Sequence, residues 1–155
     1  MIIIRKFYIF LLLDLATLVC WGLTLALYRI MNEDSIIALA IEQSSRKRYR
    51  TQLASPKKRF KTLDKLNHNP PLDSRYTKWF PSFQKALESI NVDPMIEVCI
   101  LSAAKEIDGK MMSLKKAIQE VPFYGWGTII GITKDLALYY GETGERAAVI
   151  HRKQI

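Results

Sequence analysis

Glu142 and Glu145, preceded by Tyr139 and Tyr140, are the one acidic and aromatic cluster in this chain that suggests chemistry on a bond. Two carboxyl groups flanking a glycosidic linkage can share acid and base roles across it. Here the pair surrounds a turn at Gly144, a setting in which glutamates are solvated, so no catalytic residue is assigned. His68 and His151 have no carboxylate at ligand spacing, and no metal site is expected from them. Cys99 lies in the most apolar run after residue 30, which suits a buried, inert thiol better than a nucleophile. The chain has no phosphate loop ending in Gly-Lys-Ser/Thr, no His-Glu-x-x-His, no Cys-x-x-Cys and no Gly-x-Ser-x-Gly. The reading is therefore a protein that is not an enzyme and holds no cofactor.

Residues suited to binding are easier to find. From Arg46 to Lys61 the chain carries Arg46, Lys47, Arg48, Arg50, Lys57, Lys58, Arg59 and Lys61, eight cations with no acid among them. Such a run attracts anionic lipid headgroups at about 1 kcal/mol per charge near a surface. The same run with Tyr49 and Phe60 could meet nucleic acid, but no recognition helix, zinc spacing or RNA-binding aromatic motif accompanies it, so nucleic acid is not the expected partner. Phe123, Tyr124 and Trp126 stand around Gly125 and Gly127, and three aromatics so spaced are hard to bury together. They are the candidate patch for a protein partner. Asp14 is a lone carboxylate inside an apolar run, where a charge seeks a polar group on another membrane helix, so it is the candidate membrane-helix contact.

That run, Phe7 to Tyr28, organises the reading of the rest. Twenty-two residues at about 1.5 Å each reach about 33 Å, enough for a bilayer core. Arg5, Lys6 and Arg29 flank it, with Tyr8 and Tyr28 near its ends and Trp21, which fits less well, further inside. A cleaved signal fits less well, because the run is long and Thr24-Leu25-Ala26 imitates a cleavage site poorly. The expected organisation is a basic flank over 1–6, a transmembrane helix over 7–28, a juxtamembrane helix over 29–53, a basic Pro-containing linker over 54–73 and a small domain over 74–155. The expected location is a cell or inner membrane, crossed once, with the side of the C-terminal domain undecided and a lean toward the outside.

Within 74–155, Ser82 caps a helix carrying Phe83, Ala86, Leu87 and Ile90 at helical spacing. Asp93-Pro94 reads as the start of a helix over 94–107 that Gly109 ends, apolar nearly all round and therefore central. Ser113 caps a third helix bearing Leu114, Ala117, Ile118 and Val121, stopped by Pro122. Residues 127–151 admit strands at 127–133, 136–140 and 146–151 with a turn at 142–144, or a further helix. The fold class read from this pattern is mainly α, one N-terminal transmembrane helix plus a small helical domain, the alternative being α+β with a C-terminal β-hairpin over about 127–151.

The formal net charge is +8, and most of it falls after residue 29. With two cysteines, one of them Cys20 in the apolar run, packing rather than disulfides must hold the domain. The function expected is a non-enzymatic subunit or accessory factor of a larger membrane assembly, partnered by other membrane proteins. The alternative is a membrane-tethered module whose basic segment binds anionic lipid or nucleic acid.

Overall fold

The computed structural model describes residues 31–142 and 145–152. Its first helix, α1 (Glu33–Ala40), begins where Asn32 accepts a hydrogen bond from the Ser35 amide at 2.9 Å, with Glu33 and Asp34 in the first turn. Acids there complement the positive end of the helix dipole. The chain turns extended at Ile41 (φ −89°, ψ 139°), then forms α2 (Gln43–Leu53), α3 (Pro56–Leu63) and α4 (Lys65–His68). Pro56 sits at the start of α3, where its missing N–H costs no helical bond. After α4 the chain runs back beside Ile41: Glu42 N–H donates to Pro71 O at 2.9 Å and Asp73 N–H to Ala40 O at 2.8 Å. The helical layer is thereby closed on itself before the first strand begins.

The remaining elements are β1 (Thr77–Phe80), α5 (Phe83–Glu88), β2 (Glu97–Ser102), β3 (Met111–Ser113), α6 (Leu114–Tyr124), β4 (Thr128–Thr133), β5 (Leu136–Tyr140) and β6 (Ala147–His151). Among the described residues six strands make one antiparallel sheet in the order β1-β6-β5-β4-β2-β3. Side chains alternate between its faces. Cys99, Leu101, Ile129, Ala137, Tyr139, Ala148 and Ile150 pack against residues of α1 to α4, including Ile36, Ile37, Leu39 and Leu66. Val98, Ile100, Ile130, Ile132, Leu138, Tyr140, Ala147 and Val149 pack with Phe83 and Ala86 of α5 and Ala117 and Val121 of α6. The result is a three-layer helix–sheet–helix sandwich.

The sheet overturns the mainly α expectation. The helix expected over 94–107 does not form: Asp93-Pro94 makes a turn, with Met95 N–H donating to the Asp93 carboxylate at 2.8 Å, and β2 follows. From Val98 to Ser102 every position is buried, because successive side chains enter opposite cores. A strand covered on both faces shows an unbroken apolar run rather than alternation, which is how it resembled a buried helix. Strands also occupy 128–133, 136–140 and 147–151, where the α+β alternative put them. Gly127 and Gly131, poor helix residues, mark close approaches here. A Cβ on Gly127 would lie 2.5 Å from the Leu66 carbonyl carbon, and one on Gly131 would lie 2.6 Å from Ile36 Cγ1. These gaps let α4 and α1 settle onto the sheet.

The capped helices at 83–88 and 114–124 form, and Ser82 and Ser113 accept from Lys85 N–H and Lys116 N–H, both at 3.3 Å. Pro122 does not stop the second; it lies inside the last turn, and Gly125 in the left-handed region (φ 62°) ends the helix. Residues 29–53, read as one juxtamembrane helix, hold α1 and α2 separated by Ile41. Residues 54–73, read as a linker, hold α3 and α4, whose Leu63 and Leu66 are buried in the core with Leu72.

The single-pass membrane topology and the membrane localisation built on it are also corrected. Among the described residues no helix is long and apolar enough to cross a membrane. The longest, α2 and α6, have eleven residues each and so reach about 16 Å. Residues 7–28, with Asp14, lie outside the described residues.

Tyr49 of α2 is fully buried, and its hydroxyl meets no hydrogen-bond partner among the described residues. Leaving such a group unpaired costs about 1–3 kcal/mol, while burying the ring is favourable. Tyr49→Phe is therefore expected to stabilise the fold by about 1 kcal/mol and raise the melting temperature by a few degrees. A drop in melting temperature in a thermal scan would show that the hydroxyl is bonded after all.

Candidate functional site

The aromatic loop at the end of α6 is the most exposed apolar feature among the described residues. Phe123 is 84% exposed and Trp126 48%, and Phe123 meets Tyr124 edge to face at 5.3 Å between ring centroids. The loop is nonetheless firmly placed. Gly125 N–H donates to Val121 O at 3.1 Å, and Thr128 Oγ1 donates to Trp126 O at 2.8 Å. Gly127 N–H donates to the buried Asn67 side chain of α4, and Gly127 O accepts from Ala103 N–H at 3.2 Å. Asn67 is held in turn by Asp64 at 3.1 Å, and the neighbouring Leu66 O accepts from the Tyr139 hydroxyl at 2.6 Å. Three aromatic side chains thus stand on a backbone fixed from both the helical layer and the sheet.

The eight cations of 46–61 divide into two groups. Arg46 donates to Ile41 O at 2.8 Å and pairs with Asp73 at 3.3 Å, and Arg50 pairs with Asp34 at 3.1 Å. Arg59 joins three elements: it reaches Asp108 at 2.6 Å in the β2–β3 connection and Glu33 of α1 at 2.7 Å, and it donates to Leu53 O at 3.3 Å. These bonds, chiefly that to Asp108, hold its guanidinium more firmly protonated than an ordinary arginine. Lys47 and Arg48 on α2 and Lys57, Lys58 and Lys61 on α3 are exposed and have no carboxylate within ion-pairing distance among the described residues. Three arginines therefore serve the fold, and five cations are left for solvent or a partner.

A cleft of about 620 Å³ opens where α5 and α6 leave the far end of their sheet face uncovered. Phe80, Leu136 and Val149 from β1, β5 and β6 form its apolar floor, and Ile90 and Val92, just after α5, form a wall. Lys78 stands at its rim with Nζ 5.4 Å from the Phe80 ring centroid, and neither aspartate nor glutamate lines it. His151, from which the sequence led us to expect no metal site, also lines this cleft. Sequence reasoning missed the site because its residues come from four separated segments, and no local spacing announces it.

The groups weighed for catalysis are dispersed. Tyr139 and Tyr140 point to opposite faces, as neighbours on a strand must, and both are buried. Burial pushes the Tyr139 hydroxyl up to about 12. Glu142 lies 3.5 Å from His68, both on the surface. Burial likewise raises the Cys99 thiol, so it is poorly reactive where it sits. No three metal-ligating side chains converge among the described residues. Asp14, the expected membrane-helix contact, lies outside them.

No protein-family model, curated protein or solved structure matches the chain.

Among the described residues, Asp73 is a deeply buried carboxylate held by two arginines. It is 3% exposed and accepts from Arg75 Nε at 2.9 Å, Arg75 Nη2 at 2.6 Å and Arg46 Nη2 at 3.3 Å. The Arg75 hydrogen bonds hold its carboxyl below the usual range. A carboxyl more acidic in the folded state stabilises the fold at pH values above its unfolded pKa, about 3.9, and that stabilisation is lost as the pH falls through and below it. Asp73→Asn should therefore lower the melting temperature at neutral pH and flatten its decline below about pH 4. If the two proteins decline in parallel between about pH 5 and pH 2, Asp73 is not linked to acid unfolding.

Proposed function

We propose that the chain is a non-enzymatic binding subunit that docks onto another protein through the loop from Phe123 to Trp126. The observation that carries this reading is an 84%-exposed phenylalanine beside a half-exposed tryptophan on a backbone already fixed by hydrogen bonds. Large aromatics dominate the energetics of protein interfaces, and a rigid loop loses little conformational entropy when it docks. The partner that fits carries an apolar groove into which Phe123 and Trp126 insert. Since both side chains face solvent, truncating them should leave the fold intact while weakening docking by about 2 kcal/mol each, or about thirtyfold in Kd. Sedimentation of gently extracted native material should show a discrete assembly heavier than the 17.9 kDa chain. Phe123→Ala with Trp126→Ala should return it to that mass at an unchanged melting temperature. A wild-type monomer, or an assembly that survives both substitutions, would sink the reading.

A second reading rests on Lys47, Arg48, Lys57, Lys58 and Lys61, five cations without acid partners among the described residues, on two consecutive helices in a stretch, Gln43–Leu63, that contains no acid. This surface suits anionic lipid headgroups, with an attraction of about 1 kcal/mol per cation at the surface that salt screens. Cosedimentation with vesicles containing phosphatidylglycerol should fall steeply between low and physiological salt and vanish when the five are changed to glutamine. Vesicle binding that ignores both salt and the five substitutions removes this reading.

A further inference from the structure

Among the described residues, the cleft beside α5 combines an apolar floor, one unpaired cation and no acid, and this combination selects a class of small molecule. Its floor lies across three adjacent strands, β1, β6 and β5, about 10 Å from first to last at ordinary strand spacing. Its volume, about 620 Å³, falls within the range of small-molecule sites, about 300–1,000 Å³. The arginine that lines it is engaged elsewhere, Arg75 pairing with Asp73 at 2.6 Å, and Arg152, which lies over the ring of the lining residue Tyr76, donates to Ala38 O at 2.7 Å. Lys78 has no such partner among the described residues, and its ammonium hangs over the Phe80 ring at the boundary between apolar floor and solvent. A single cation with no glycine-rich backbone cradle beside it is a poor receptor for di- or triphosphates. It is a good one for a single negative charge at the end of an apolar chain.

We propose that this cleft binds a free medium-chain acyl carboxylate, with the chain lying on Phe80, Leu136 and Val149 and the carboxylate at Lys78. The chain excludes water from the floor and the wall of Ile90 and Val92, and the headgroup remains at the mouth, where Lys78 pairs with it. The site is independent of the aromatic loop, so neither proposal rests on the other.

Calorimetric titration of the full chain with octanoate, octanamide and acetate tests each part. Octanoate is expected to saturate one site with a Kd below about 1 mM. Octanamide, which keeps the chain and loses the charge, should bind at least about tenfold more weakly, consistent with a charge-assisted hydrogen bond. Acetate, which keeps the charge and loses the chain, should give no heat at the same concentrations. Lys78→Met, on an exposed side chain and so harmless to folding, should weaken octanoate at least about tenfold, and Val92→Trp, at a partly exposed wall residue, should abolish it. Met95→Ala, an exposed apolar change off the cleft, should change nothing. Methyl NMR locates the ligand: octanoate should shift Ile90, Val92, Leu136 and Val149. Vesicles of phosphatidylglycerol, whose chains remain in a bilayer, should leave those signals unmoved. Equal binding of octanoate and octanamide, indifference to Lys78→Met, shifts elsewhere in the protein, or a response to vesicles in place of octanoate would each overturn the proposal.

Discussion

Burial of the sheet on both faces is the constraint from which the rest of this structure follows. Cys99 and Leu101 need one covering layer, while Val98 and Ile100 on the same strand need another. Sheets of this kind need helices on each side, because the central strands carry apolar side chains on both faces. The chain meets the demand in order: α1 to α4 come first and form one cover, and α5 and α6, placed between strands, form the other. Where the second cover runs short, at the far end of β1, β6 and β5, the sheet face remains open as a cleft.

Charge is distributed according to the same plan. Arg59 bridges α3 to α1 and to the β2–β3 connection, and Arg46 and Arg75 converge on the buried Asp73 between the helical layer and β1. A partly buried guanidinium with planar donors can serve two carboxylates at once, which a lysine ammonium does less well. The lysines of α2 and α3, flexible and strongly hydrated, remain at the surface. One basic run therefore has two fates, decided by which side chains find an acid across the fold.

The sequence was informative wherever a local hydrogen bond or backbone rule governed the outcome. Asn32, Ser82 and Ser113 cap helices as their types suggest, since an N-cap needs only an acceptor and an amide three residues on. The aromatic loop was legible for a similar reason: Gly125 and Gly127 beside three aromatics signal a turn that cannot bury them all. The central strand was not legible. Met95 to Leu101 is apolar at almost every position, so helical and strand periodicities fit it equally, and the turn at Asp93-Pro94 imitates a helix start.

Composition, caps and turn residues were thus set by the sequence alone, because each depends on neighbours within about four positions. Tertiary structure alone decided that β2 is a strand, that Leu63, Leu66 and Leu72 enter the core and that Arg59 is a bridge. It also brought Lys78, Ile90, Leu136 and Val149 to one cleft. These outcomes depend on partners distant in the chain, such as Glu33 and Asp108, 26 and 49 positions from Arg59, which no local pattern encodes. A strand has no hydrogen bonds of its own to announce it; it exists only when its neighbours in the sheet arrive.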